Sequence, residues 1–425
     1  MKCFHCIALV GVAIGVGLVA GCPTSPLPPP PPDEVDQFET VRLALDWYLG
    51  SDPPAAITAS DVFDLLNDGD DMNDPYVLSV RSSEDYELGH VPGAANVPWR
   101  GVATQGALDE VPTDRQVVVY CYTGHTGAVA TTYLNVSGYE AVNMKWGLMS
   151  WTQDAAVRLQ APFNEETDSN DFEVEITDNP GQAINELPVL EVTDSTDEDE
   201  IIRAAGEAYL GAGTPPVITA LDLFDLLNDG DDANDPFIVS VRKPDDYALG
   251  HIPGAINIPW KMIAQEENLK KLPTDRQIAV YCYTGHTGAL AATALNLLGY
   301  DAVNLKYGMV TWTKDETVRA TSPFSEETDA NNYPVEGAEP ECVIDEDCPP
   351  GQVCENGVCV EVPGVDGAEV HAANCAICHG EDGTGPPDIT GSDADTITAK
   401  LDAGGIHAIE LTDEEIAALA EFLGG

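Results

Sequence analysis

Residues 112–128 read PTDRQVVVYCYTGHTGA, and residues 273–289 read PTDRQIAVYCYTGHTGA. In each copy a run of apolar, largely β-branched residues ends at a cysteine. A short loop with one glycine follows, and a helical pattern begins directly after it. Such a run predicts a buried parallel strand, and the order strand, loop, helix predicts an α/β unit whose helices flank a parallel sheet.

The two stretches belong to a longer internal repeat with a constant offset of 161 residues. The repeat predicts two domains, 37–166 and 198–327, joined by an acidic and weakly patterned linker over 167–197. Inside the first domain the pattern predicts strands over 76–80 and 116–120. It also predicts helices over 60–66, with Ser60 as N-cap, and over 127–136.

The chain outside the repeat predicts five further segments. Residues 1–21 have the shape of a secretory signal, and the string before Cys22 resembles a bacterial lipobox, which implies a lipid on Cys22. An uncleaved N-terminal helix is the alternative. Residues 22–36 form a proline-rich stalk that favours polyproline II. Residues 328–340 form a second linker, 341–361 a cysteine-rich module and 362–425 a C-terminal domain.

Charge restricts the function classes. Lys and Arg number 18 against 73 Asp and Glu, which gives a net charge of −55 and excludes nucleic-acid binding. With 44% hydrophobic residues the chain is a folded protein with an acidic coat. After Arg319 there are 24 acidic residues and a single basic one, Lys400, so we expect any redox partner of this region to be basic.

The cysteine loops have the chemistry of a nucleophile. Cys121 and Cys282 each stand between a strand and a helix, where backbone N–H groups and the helix dipole favour the thiolate. Together with the strings GHVPGA and GHIPGA and the later segments NMKWG and NLKYG, these loops resemble the rhodanese family. The resemblance implies sulfur transfer, in which the cysteine takes sulfane sulfur from a donor such as thiosulfate and passes it on from a persulfide.

The loops depart from the family pattern at their fifth position. His125 and His286 stand where family loops often carry arginine. A histidine whose pKa is not shifted charges only near and below about pH 6.5, so we expect an anionic donor to be held less tightly at neutral pH. Lys145 and Lys306 border the active loop by the same resemblance and replace part of that charge. The predicted substrate-binding set comprises His125, Thr126, Lys145, His286, Thr287 and Lys306.

Two alternatives compete with sulfur transfer at these loops. In one, Cys121 and Cys282 are buried and inert. In the other, the loops belong to a cysteine-dependent phosphatase or arsenate reductase. That chemistry requires an arginine six residues after the cysteine. Gly127 and Gly288 stand at this position, and the missing arginine disfavours phosphate-ester cleavage.

The segment 341–361 carries four closely spaced cysteines, namely Cys342, Cys348, Cys354 and Cys359. The spacing is unlike common zinc sites, so outside the cytoplasm it predicts two disulfides with three open pairings. Zinc binding remains an alternative.

The C-terminal domain carries the pattern of covalent haem attachment, with thioethers at Cys375 and Cys378 and His379 as proximal iron ligand. The segment resembles a small class I cytochrome c, an all-α domain with one haem c. Because no methionine follows Met309, we expect His407 as the distal ligand. A five-coordinate iron and a redox dithiol without haem are the alternatives.

The sequence therefore predicts a multidomain lipoprotein of the periplasm or cell surface, with two α/β rhodanese-like domains, a disulfide-rich module and a cytochrome. The predicted function is transfer of sulfur from a small sulfur-containing anion or persulfide, coupled to one-electron transfer by the haem. A second hypothesis is an electron carrier whose rhodanese units only bind or dock sulfur compounds. A third is a persulfide shuttle with a haem redox sensor.

Overall fold

The computed structural model describes residues 35–179, 184–337, 352–355, 358–361, 416 and 419. We refer to residues 37–166 as unit 1 and to residues 198–327 as unit 2. The elements of unit 1 are α1 (Gln37–Gly50), α2 (Ala59–Asn67), β1 (Tyr76–Ser79), α3 (Ser83–Glu87), β2 (Ala95–Asn96), a 3-10 helix (Trp99–Gly101), α4 (Gln105–Leu108), β3 (Val117–Tyr120), α5 (His125–Val136), β4 (Ala141–Asn143), α6 (Leu148–Trp151), α7 (Ala155–Arg158) and α8 (Glu165–Asp168).

Unit 2 repeats this order with one additional short strand, Val217–Ile218, and, within its described residues, without a counterpart of α8. Its elements are α9 (Glu198–Gly211), β5 (Val217–Ile218), α10 (Ala220–Asn228), β6 (Phe237–Ser240), α11 (Pro244–Ala248), β7 (Ile256–Asn257), a 3-10 helix (Trp260–Met262), α12 (Glu266–Leu269), β8 (Ile278–Tyr281), α13 (His286–Leu297), β9 (Ala302–Leu305), α14 (Met309–Trp312) and α15 (Glu316–Arg319).

Each unit is built on a parallel sheet, which confirms the predicted α/β class. The order is β2-β1-β3-β4 in unit 1 and β5-β9-β8-β6-β7 in unit 2. The central strands β3 and β8 are buried along their whole length, as expected for a parallel sheet covered by helices.

The predicted strands are confirmed, whereas two helix starts differ. Helix α2 begins at Ala59, and its N-cap is Thr58 rather than Ser60, because the Thr58 hydroxyl accepts from the Asp61 backbone N–H. Helix α5 begins at His125, two residues before the prediction, because Gly124 adopts a left-handed conformation that turns the chain directly into the helix.

One hydrophobic cluster contains buried residues of both units. The first helix of each unit packs across the boundary: Leu45 and Leu49 of α1 join a cluster that contains Ile258 and Ile263 of unit 2. A Cβ at Gly206 of α9 would lie 2.1 Å from the Tyr133 ring of α5, so α9 approaches unit 1 closely. The pair therefore behaves as one packed body.

The segments that follow each unit also cross over. Residues after 167, predicted as a linker, lie along unit 2, where the Trp312 indole donates to the Glu173 carbonyl at 2.9 Å. In the same way the Trp151 indole of unit 1 donates to the Pro334 carbonyl at 2.8 Å. The buried guanidinium groups of Arg158 and Arg319 pair with carboxylates of the opposite half. The segment that follows each unit therefore packs against the other unit.

The described part of the cysteine-rich module is a hairpin of β10 (Gln352–Glu355) and β11 (Val358–Glu361), whose backbone register sets Cys354 opposite Cys359. Cys342 and Cys348 lie outside the described residues, as do the predicted signal, Cys22 and the predicted stalk up to residue 34. Among the described helices, none has the length and apolar character needed to cross a membrane.

Candidate active site

Both cysteines lie where a parallel sheet presents its carboxyl edge. Cys121 directly follows β3 and Cys282 directly follows β8, each an interior strand of its sheet. Both residues are about 1% exposed. Ligands of open α/β sheets bind at this edge, so the fold itself presents the two thiols at a binding position.

Hydrogen bonds within each loop hold the sulfur. The Gly124 backbone N–H donates to Cys121 Sγ at 3.1 Å, and the Gly285 N–H donates to Cys282 Sγ at 3.1 Å. The Asn143 side-chain amide donates to the Gly124 carbonyl at 3.0 Å, with Asn304 in the same role in unit 2. An N–H aimed at sulfur stabilises a negative charge there.

A second loop closes over each cysteine. The Leu148 N–H donates to the Cys121 carbonyl at 2.8 Å, directly after Gly147, whose φ is 56°. A Cβ on Gly147 would lie 2.4 Å from the Cys121 carbonyl oxygen, so only glycine fits there. Gly308 repeats the arrangement beside Cys282.

The loop histidines reach across the boundary between the units. His125 Nε2 accepts from the Tyr307 backbone N–H at 3.0 Å, and His286 Nε2 accepts from the Trp146 N–H at 3.0 Å. Their Nδ1 atoms contact Thr123 and Thr284 hydroxyls at 2.9 and 3.1 Å. The two rings are stacked with centroids 6.0 Å apart. Since Nε2 accepts, each ring is in its neutral form.

The electrostatic surroundings keep the histidines neutral. Burial, with Lys145 nearby, lowers the pKa of His286 from 6.5 to about 3. Burial, with His286 and Lys306 nearby, lowers the pKa of His125 well below 6.5. Neutral histidines supply no positive charge to a bound anion. In the structure both side chains join the two units as hydrogen-bond acceptors, and their role in substrate binding stays a prediction.

Each predicted lysine lies near the cysteine loop of the other unit. Lys145 of unit 1 lines a cavity of about 380 Å³ that contains Cys282, Thr287 and His286 of unit 2. Lys306 of unit 2 lies beside His125 and lines a cleft between residues 160–168 and 322–328. Thr126 is half-buried on the first turn of α5.

Three kinds of residue at the site were not predicted. Asn143 and Asn304 clamp the loops, Tyr307 of unit 2 lies near Cys121, and Lys243 lines the Cys282 cavity. The asparagines and Tyr307 stand within the segments NMKWG and NLKYG, but the sequence pattern assigned them no role.

The predicted haem residues Cys375, Cys378, His379 and His407 lie outside the described residues. Within the C-terminal domain, Ile416 and Leu419 are described, and both are helical and buried. The part of the chain that the structure describes contains no cluster of three or more metal-ligating side chains.

Comparison with known proteins agrees with this arrangement. The rhodanese-like domain model matches residues 58–154 and 219–315, and the model for cytochrome c oxidase, cbb3-type, subunit III matches residues 363–423. The chain is 32% identical over 84 residues to a sulfurtransferase of Allochromatium vinosum, covering 20% of this chain and 77% of that protein. It is 26% identical over 276 residues to the "Probable adenylyltransferase/sulfurtransferase MoeZ" of Mycobacterium tuberculosis, covering 62% and 67%.

Among solved structures, a rhodanese-like domain protein of Staphylococcus aureus is 30% identical, covers 24% of this chain and 94% of its own, and has a TM-score of 0.22. A cbb3-type cytochrome domain implies a covalently bound haem c. The chain belongs to the rhodanese family, with two rhodanese-like domains followed by a cbb3-type cytochrome c domain.

Proposed function

We propose that the chain is a sulfurtransferase of the rhodanese type that forms persulfides on Cys121 and Cys282 from thiosulfate or a related sulfane-sulfur donor. The observation that carries the proposal is the sulfur held by a backbone N–H at the carboxyl edge of a central strand, in both units. A buried core thiol has no need of that contact, so the geometry favours a reactive cysteine over an inert one.

The reaction needs little more than this loop. The cysteine thiolate attacks the outer sulfur of thiosulfate, a sulfur–sulfur bond forms to the protein, and sulfite leaves with the electron pair of the broken bond. The Gly124 or Gly285 N–H stabilises the sulfur anion. Attack of cyanide or another thiolate on the persulfide then releases the outer sulfur and restores the cysteine thiolate.

Haem electron transfer is the second part of the proposal. Cys375 and Cys378 would bind one haem covalently, with His379 and His407 as iron ligands. Bound haem supplies one-electron transfer to a redox partner, and the acidity of the chain after Arg319 suits a basic one. An electron carrier whose rhodanese units only bind sulfur compounds is the competing function, supported by the same cytochrome domain.

We further propose an extracytoplasmic location with a lipid on Cys22. The proposal rests on the signal-like segment before Cys22 and on the haem-attachment motif, since covalent haem and disulfides both belong outside the cytoplasm.

The double variant Cys121→Ser/Cys282→Ser is expected to abolish thiosulfate:cyanide sulfurtransferase activity, at least 10³-fold below wild type, because a serine hydroxyl is a poor nucleophile toward sulfur. Mass spectrometry of the wild type after thiosulfate should show one added sulfur atom on each cysteine peptide. A wild-type chain that forms no persulfide with thiosulfate or an organic persulfide would contradict the proposal.

Comparison of the wild type with the double cysteine variant also distinguishes the two candidate functions. If the haem is reduced on addition of thiosulfate or polysulfide only when the cysteines are present, sulfur transfer and electron transfer are coupled. Equal reduction in the double variant favours the electron carrier.

The variant His407→Ala is expected to lose the low-spin visible spectrum of the reduced haem while the covalent haem stays attached. Cys375→Ser/Cys378→Ser, as a reference, should lose the covalent haem altogether. A spectrum unchanged in His407→Ala would rule out His407 as the distal ligand.

A further inference from the structure

The walls of the Cys282 cavity come from both units. Lys145 of unit 1 and Lys243 of unit 2 both line the cavity of about 380 Å³ that contains Cys282. Lys145 is half-buried, and its Nζ lies 5.4 Å from the centre of the Trp146 ring. An anion in this cavity would therefore meet a lysine from each half of the molecule.

The charge of this site differs from that of its counterpart. The cavity at Cys282 is lined by two lysines, Lys145 and the exposed Lys243, and by one acidic residue, Asp246, whose carboxylate accepts from the Tyr283 hydroxyl. At the offset of 161 the counterparts of Lys145 and Asp246 are Lys306 and Asp85. The counterpart of Lys243, however, is Ser82. The Cys282 site thus carries one positive charge more than the corresponding positions around Cys121.

The residues that line the Cys282 cavity are also smaller than those at the corresponding positions around Cys121. Four further residues of the Cys282 cavity are small, namely Ala55, Ala56, Ala320 and Thr321. The repeat places larger residues at the corresponding positions, namely Pro216, Val217, Leu159 and Gln160. The Cys282 side therefore offers more room beside the thiol.

We propose that the two thiols are not equivalent: Cys282 receives sulfur from an anionic sulfane donor more readily than Cys121, and Lys145 of the opposite unit, together with Lys243, gives it that preference. This inference rests on the proposed sulfur transfer and deepens it. The bond changes are those given above, with the sulfonate end of the donor held by the two ammonium groups until sulfite leaves.

The test compares the rates at which an anionic and a neutral reagent alkylate each thiol. The ratio of the two rates reports the local charge whether or not sulfur is transferred. Alkylation rates of Cys282 and Cys121 are measured separately by peptide mass spectrometry with iodoacetate and iodoacetamide. We expect a higher iodoacetate-to-iodoacetamide ratio at Cys282. Lys145→Ala and Lys243→Ser should each lower that ratio about five- to tenfold at low salt and leave the ratio at Cys121 nearly unchanged.

Controls make the result specific. Lys145→Arg keeps the charge and should keep the ratio, while Lys270→Ala removes an exposed lysine of unit 2 and should change neither thiol. In single-cysteine chains, the Cys121→Ser protein should have the lower KM for thiosulfate, and Lys145→Ala should raise that KM more than it lowers kcat.

Two outcomes would overturn the inference: equal ratios at the two thiols, or a fall at Cys121 rather than Cys282 in Lys145→Ala. Absence of persulfide at either cysteine, with the expected ratios intact, would instead count against the proposed function alone.

Discussion

Replacing Gly147 by alanine is expected to reduce persulfide formation at Cys121 about 10²-fold while leaving Cys282 active. The added Cβ would lie 2.4 Å from the Cys121 carbonyl oxygen and 2.9 Å from the Gly124 nitrogen, both backbone atoms that cannot rotate away. The φ of 56° adds about 1–2 kcal/mol of strain for any L-residue. The loop must move, and displacement of a reacting group by about 1 Å can cost about 10²-fold in rate.

Two other glycines serve as controls for this variant. Gly308→Ala should reverse the pattern, because its Cβ would lie 2.7 Å from the Cys282 carbonyl oxygen. Gly138 has a φ of 89° and open space around its Cβ position, so Gly138→Ala should cost only about 1 kcal/mol of stability and keep both thiols active. Site-resolved persulfide mapping by mass spectrometry checks all three. Full activity at Cys121 in Gly147→Ala would show that the second loop does not position the thiol.

Acidification is expected to destabilise the contact between the units before most carboxylates titrate. His286 has a pKa of about 3 in the folded chain, and an unfolded histidine titrates near 6.5. Between these values the unfolded chain binds more protons than the folded chain, so stability is present above about pH 6.5 and is lost as the pH falls. His125 acts in the same direction.

The expected loss in the free energy of unfolding is large for two side chains. His286 should contribute a loss of about 1.4 kcal/mol between about pH 7.5 and 5.5, and His125 adds a loss of the same sign. The measurement is the free energy of unfolding from urea titrations across that range. The matched control is His125→Gln/His286→Gln, in which an amide oxygen takes over the acceptor role without titrating in this range.

The difference between the two pH profiles isolates the pair from His90, His251 and the carboxylates. We expect the double glutamine variant to be less sensitive to pH over this range by at least the amount stated for His286. Parallel profiles would mean that the histidines are protonated in the folded chain, and the reciprocal acceptor geometry would then be wrong.

Local chemistry was predictable from the sequence because it depends on near neighbours along the chain. Apolar runs ending at Cys121 and Cys282 gave the strands, the loop and the following helix, and the fold confirms them. The repeat offset gave two similar units. The N-cap of α2 was misassigned because Thr58 and Ser60 are both good caps, and backbone geometry selects between them.

The contacts between residues of the two units were decided by the tertiary structure. The sequence by itself determined that His125, His286, Lys145 and Lys306 stand near the cysteine loops. Only packing decided that the histidines are neutral acceptors for the opposite unit and that Lys145 lines the cavity of Cys282. The physical reason is that a side chain's charge state and partners depend on burial and on groups brought close in space, here from residues 140 or more positions away.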